Sequence, residues 1–181
     1  MSPTNHRYDL MAQALHWTTA IAIVAAFVLI QVVEGLPKGP ERSFVMGLHK
    51  SFGVIVVALV ALRVAWRHVS PPPAPPVMPA WMASASRLGH AALYALMLLV
   101  PVVGMVMSWS AGRPIAVFGL FTLPDLLPPS PVLKDTTEKV HEVLGNLVLI
   151  VAGLHAGAAL FHHYVLKDGV LARMLPWGAR V

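Results

Sequence analysis

Histidine is the residue type through which this chain could do chemistry, because it has nine of them and no cysteine. Four of the nine, His16, His49, His141 and His155, fall inside or at the edge of long apolar runs. An ionisable side chain in such a run is costly and marks a functional site by default. His141 and His155 are separated by about 21 Å of helix, nearly four full turns, so both point to one face. His49 matches the depth of His141, and His16 matches that of His155. Each pair comes from facing helices, and an imidazole on either side of a macrocycle is what bis-histidine haem needs. Gly53 and Gly145 each follow a histidine of one pair by four residues, leaving room for a porphyrin edge, and Gly153 and Gly157 bracket His155. The plain alternative is a set of polar contacts between helices. A zinc site of the HExxH type fails, because Gly145 stands where the second histidine belongs.

The elements that must position these histidines are membrane helices. The 181 residues are 57% hydrophobic and 12% charged, against about 45–50% and about 25% in a soluble domain. Mean hydropathy is +0.70. That composition excludes a water-soluble domain and disorder. The lack of cysteine excludes disulfides, iron–sulfur clusters, thiolate zinc, c-type haem attachment and a cysteine nucleophile. Four runs, at residues 12–33, 44–66, 88–109 and 140–165, each reach the length of about 20 residues that crosses a bilayer. The expected fold is an all-α integral membrane protein, a four-transmembrane-helix bundle forming one domain over residues 1–181. The first span lacks a signal-peptide cleavage site and is expected to stay as an anchor. Residues 34–43 form a short Gly- and Pro-containing link, and 70–79 is a proline-rich linker that cannot be helical. Residues 112–131 form a second proline-containing connection, with helix-start chemistry at Asp135–Thr137. Pro101 should kink the third span. The net charge of +5 reads as loop charge beside a membrane rather than as a nucleic-acid footprint, and its distribution favours cytoplasmic termini.

Several segments carry a resemblance to a known family. These are QALHWTTA around His16, GLHKSFG around His49, LGHAALYALMLLVPVVGMVMS in the third span, KVHEVLGN around His141 and GLHAGAALFHHYVLKDGVLARMLP from Gly153 onward. Together they cover nearly the whole chain and resemble the bacterial cytochrome b561 family. The resemblance implies a bacterial inner-membrane protein with two b haems that exchanges electrons with the quinone pool. Carried over by motif, the ligands are His16 and His155 for the inner haem and His49 and His141 for the outer haem, the same pairs that helix depth gives. Family members of similar length and pattern include superoxide oxidases, which implies superoxide as donor at the outer face and ubiquinone as acceptor. Other members serve as haem subunits of hydrogenases or other reductases, so a partner enzyme is an alternative donor. A haem-free transporter or structural membrane protein is the alternative of another class.

The remaining polar residues fit around that frame. His90 and His162, with Arg87 nearby, sit on the inner side and could hydrogen-bond quinone carbonyls and pass protons, or simply face headgroups. His163 turns away from His162 by about 100°, and His6 and His68 are expected to be solvated. Arg63 lies about a turn inside the second span, where it either snorkels to the headgroups or pairs with a haem propionate. Lys50, Lys134 and Lys139 lie near the outer pair. They form either a solvated rim with Asp135, Glu138 and Glu142 or a positive funnel for a small anion.

Overall fold

In the computed structural model, which describes residues 7–175, four long helices carry the fold. They are α1 (Leu10–Gly35), α2 (Pro40–Val69), α3 (Ala80–Ser110) and α4 (Pro131–Phe161). All four are long and apolar enough to cross a membrane, and the chain is a four-span all-α membrane bundle. Each helix starts earlier than its apolar run, and in α1 and α4 a side-chain cap sets the start. Asp9 accepts from the Ala12 N–H at 2.9 Å to start α1, and Pro40 opens α2. The fourth helix does not begin near Asp135–Thr137. Ser130 accepts from the Leu133 N–H at 3.4 Å, and Pro131 follows with its φ already fixed for helix. Apolarity reports burial in lipid, whereas capping sets where the backbone turns, so the two boundaries differ. The α-helical part of the fourth span also stops at Phe161 and loosens into a π turn over His162–Leu166. Helix α3 continues through Pro101.

Packing is uneven. Helix α1 lies along α2, α3 along α4, and α2 touches α3. Helix α4 approaches the backbone of α3 closely but stands off from α1 and α2, which it meets through histidine rings. Ala22, Val56, Val60 and Met97 form the buried core cluster of α1, α2 and α3. Large apolar side chains such as Ile21, Leu62, Val102 and Ile150 are exposed on every helix, the surface expected of a bundle solvated by lipid.

Between α3 and α4 the chain forms a small hairpin, β1 (Ile115–Val117) with β2 (Phe121–Leu123), antiparallel with Val117 opposite Phe121. Three-residue strands carry too little alternation to be read from sequence. Ile115 and Val117 are buried, so the hairpin lies over one end of the bundle. Its turn forces Phe118 and Gly119 to φ of 49° and 72°, which a bulky residue such as Phe118 tolerates only where its surroundings hold it. Ser51 of α2 supplies that hold. Its hydroxyl is fully buried, accepts from the Phe118 N–H at 2.9 Å, and donates toward the carbonyls of Gly47 at 2.8 Å and Ala116 at 3.2 Å. The Phe52 ring packs edge-on to Phe118 at 5.5 Å.

The opposite, terminal end, where the first and last described residues meet, is stitched by backbone and side-chain bonds. The Tyr8 N–H donates to the Arg173 carbonyl at 3.2 Å, and the Trp17 indole N–H to the Met174 carbonyl at 2.8 Å. Arg173 reaches back to the Ala74 carbonyl of the proline-rich linker at 2.7 Å. Asp9 also accepts from the Trp66 indole at 3.0 Å and the Ser70 hydroxyl at 2.8 Å, tying the start of α1 to the end of α2.

Ser51→Ala strands the Phe118 N–H and releases a strained turn, a loss of about 1–3 kcal/mol. The expected result is a lower thermal midpoint of the detergent-solubilised protein and faster proteolysis at the hairpin tip. An unchanged midpoint with an equally protected hairpin would remove Ser51 as the clamp.

Candidate functional site

At the hairpin end, His49 of α2 and His141 of α4 face each other with ring centroids 6.2 Å apart and planes at 87°. His49 Nδ1–H donates to the Ala26 carbonyl of α1 at 2.8 Å, and His141 Nδ1–H to the Val100 carbonyl of α3 at 2.9 Å. A carbonyl only accepts, so the proton on each ring sits at Nδ1 and the lone pair at Nε2. Pinning a histidine through its other ring nitrogen is how proteins fix metal-binding imidazoles. Metal–imidazole bonds of about 2 Å, added to half a ring on each side, put two axial imidazoles about 6 Å apart between centroids. The pair fits haem iron. Its surroundings are apolar and include Ile30, Met46, Pro101, Met105 and Ile115. Gly104 lets the His141 ring lie against α3, since a Cβ there would come within 2.8 Å of His141 Cε1. At Gly145, by contrast, a Cβ would meet nothing within 4 Å.

At the terminal end, His16 of α1 and His155 of α4 face each other at 6.3 Å with planes at 69°, the same fit. His16 Nδ1 is buried without a hydrogen-bond partner. His90 of α3 also touches His155, at 5.1 Å, and its Nδ1–H donates to the Ser86 carbonyl at 2.7 Å. That spacing is too short for two imidazoles on opposite sides of one metal ion, whereas the His16–His155 spacing would admit it. Gly153 and Gly157 have no atom within 4 Å of a built Cβ. Among the described residues no group of three or more His, Cys, Asp or Glu could hold a bare metal ion.

The other sequence candidates divide. His162 donates through Nδ1 to the Asp168 carboxylate and lies beside Phe161. Partial burial pushes the Asp168 carboxyl up, but the bonds from His162 and the Val170 N–H outweigh it and hold the group below the usual carboxylate range. His90 and His162 make no ring contact with each other among the described residues. Arg87 is exposed and its Nε–H folds back on the Ala83 carbonyl at 3.3 Å. His163 stacks edge-on to Tyr164 at 4.7 Å, and His68 is exposed in the last turn of α2. His6 lies outside the described residues.

Of the three lysines, Lys50 donates to the Pro114 carbonyl at 3.2 Å and lines the cavity beside His49, with Arg113 near enough to repel it. Lys134 is bound to Asp135 and Glu138, so its charge is largely cancelled. Lys139 is exposed. Arg63 does not snorkel outward but lies over the Tyr94 ring, 5.4 Å from its centroid. Sequence reading missed Gly104, the Ala26 and Val100 carbonyls and Tyr94. Only Tyr94, one turn beyond His90 on α3, left a sequence signal.

The chain is similar to known proteins over nearly its whole length. The profile of a family described as prokaryotic cytochrome b561 matches residues 7–177. Cytochrome b561 homolog 2 of Escherichia coli (strain K12) is 36% identical over 185 residues, covering 97% of this chain and 95% of the relative. A probable superoxide oxidase, CybB, of Yersinia pestis is 31% identical over 172 residues, 94% of this chain and 96% of its own. Cytochrome b562 of Cereibacter sphaeroides is 28% identical over 173 residues, 93% of this chain and 94% of that protein.

Gly104→Ala should push the His141 ring off its seat and lower the haem content of the purified protein toward half. Gly35→Ala, where a Cβ meets nothing within 4 Å, should leave it unchanged. Haem absorbance per chain checks both, and full haem content in Gly104→Ala would mean that the close approach is not needed.

Proposed function

The chain belongs to the prokaryotic cytochrome b561 family, and from that premise we propose that it is a diheme superoxide:quinone oxidoreductase. It is a multi-pass bacterial membrane protein that transfers electrons through haem b. Membership in a haem-binding family sets the haem-free transporter aside. The proposed ligands are His49 and His141 for a haem at the hairpin end and His16 and His155 for one at the terminal end. The observation that carries the reading is two pairs of facing imidazoles, at 6.2 and 6.3 Å, each with one ring from α4. Held between the imidazoles of such a pair, haem b would supply one-electron transfer without an oxygen-binding position.

The termini are taken as cytoplasmic, which puts the hairpin end outside. There the Lys50 ammonium and the Arg113 guanidinium present positive charge beside His49, the field a small anion such as superoxide follows. The donor assignment draws support from the name of the Yersinia pestis relative and from filled axial positions, which suit a reductant that gives up an electron at a haem edge. At the cytoplasmic end His90 lies against His155, and Asp168 holds the His162 ring in one tautomer. With Nδ1–H of each ring already engaged, Nε2 offers a lone pair, so each imidazole would first take up a proton from the cytoplasm and could then donate it through Nε2–H to a ubiquinone carbonyl. Arg87, on the same turn of α3 as His90, completes the proposed quinone residues.

A flux of superoxide should reduce the haems of the purified protein and, with ubiquinone present, drive quinone reduction. Lys50→Gln should slow haem reduction several-fold at low ionic strength, with the difference fading as salt shortens the screening length to about 8–10 Å. His162→Ala should slow quinone reduction at unchanged haem content. Haems that stay oxidised under superoxide would overturn the donor, and reduction only on adding a partner enzyme would make the chain a relay subunit.

A further inference from the structure

Two polar side chains that the mechanism above does not use, Arg63 and Tyr94, meet near the His16–His155 pair. Arg63 sits within a membrane-spanning helix, half-buried, turned toward α3 rather than toward the end of α2. No carboxylate pairs with it among the described residues, where the ion pairs are those of Lys134 with Asp135 and Glu138 and of His162 with Asp168. Asp9, at the same end, is already committed to Ala12, Trp66 and Ser70. Tyr94, whose ring carries Arg63 at 5.4 Å and the more exposed Arg67 at 6.0 Å, has a buried hydroxyl that Arg63 approaches as a donor but whose own proton finds no acceptor among the described residues. Arginine has no acceptor atom, so it cannot take the hydroxyl proton of Tyr94. His16 Nδ1 is buried and unpartnered, and Arg63 is within electrostatic reach of both His16 and His155.

An uncompensated guanidinium in a low-dielectric interior is expensive, and removing its cost requires an anion with acceptor oxygens. A guanidinium fork and a phenol hydroxyl aimed at one place suit a carboxylate, which takes two parallel bonds from the first and one from the second. Haem b brings such groups with it, as its two propionates. We propose that Arg63, backed by Tyr94, binds a propionate of the haem at the His16–His155 pair and raises that haem's reduction potential above that of its partner. The proposal rests on the reading that this pair holds haem. Its sign follows from charge. A reduced haem is one unit less positive than an oxidised one, so a neighbouring cation favours the reduced state. Electrons arriving at the hairpin end then run downhill toward the terminal end.

The test is a spectroelectrochemical titration of the purified holoprotein and of Arg63→Gln, Arg63→Lys and Tyr94→Phe. Arg63→Gln should shift the reduction equilibrium of the terminal-end haem about tenfold toward the oxidised form, equal to about 59 mV downward, and leave the other haem nearly unmoved. Loss of the terminal-end haem alone from this variant supports the proposal equally. Arg63→Lys keeps the charge and should stay close to wild type in potential, while Tyr94→Phe should fall between wild type and Arg63→Gln. Full haem content with an unmoved potential in Arg63→Gln overturns the proposal, as does an equal shift of both haems. If Arg63→Gln does not fold, an unmoved potential in Tyr94→Phe overturns it. A wild-type protein with no haem at this pair fails the underlying reading instead, a distinct outcome. Repeating the titration in zwitterionic-lipid nanodiscs should preserve the shift, whereas its disappearance there would assign Arg63 to an anionic headgroup and overturn the proposal.

Discussion

A buried imidazole in a lipid-solvated bundle cannot turn to water, so each of its nitrogens must find a partner inside the protein. At the hairpin end this constraint is met for one nitrogen per ring. His49 leans on a carbonyl of α1 and His141 on a carbonyl of α3, so each ring is braced by the helix beside its own. The brace turns both Nε2 lone pairs into the space where α4 stands off from α1 and α2. At Gly145 of α4 a Cβ would meet nothing within 4 Å, so no side chain fills that space there. Helices α1 and α2 meet α3 directly through Ala22, Val56, Val60 and Met97, whereas α4 meets α1 and α2 across the paired imidazoles.

The two ends are built differently around the same pairing. The hairpin end is closed over by Ile115 and Val117 and held by Ser51, with Lys50 and Arg113 at the rim. The terminal end is crowded with titratable groups. His90 touches His155, Asp168 engages His162, and Arg63 turns inward over Tyr94. Such an asymmetry suits a protein that takes an electron on one face and delivers it, with protons, on the other.

The four spans and both histidine pairs were legible in the sequence because lipid burial and helical rise are local rules. Fourteen residues on one helix fix a depth and a face whatever the neighbours do. Helix starts were less legible, since Ser130 and Pro131 lie outside the apolar run that marks the fourth span. The hairpin was invisible for a related reason. Its stability comes from Ser51 and Phe52, far away in the chain, and not from its own short strands. Gly104 could not be found because its role is defined by a ring on another helix. For Lys134 the sequence left a solvated rim and a positive funnel both open, and its bonds to Asp135 and Glu138 match the rim.

The central claim is that His49 and His141 serve one haem while His16 and His155 serve another. The measurement that tests it most directly is the reduced-minus-oxidised absorbance of four purified single variants, His16→Ala, His49→Ala, His141→Ala and His155→Ala, quantified as haem per chain. The account predicts two haems per chain in the wild type and loss of one in each variant. His49→Ala and His141→Ala should share one residual spectrum, and His16→Ala and His155→Ala the other. Identical residual spectra for His49→Ala and His155→Ala, or a single haem in the wild type, would contradict it.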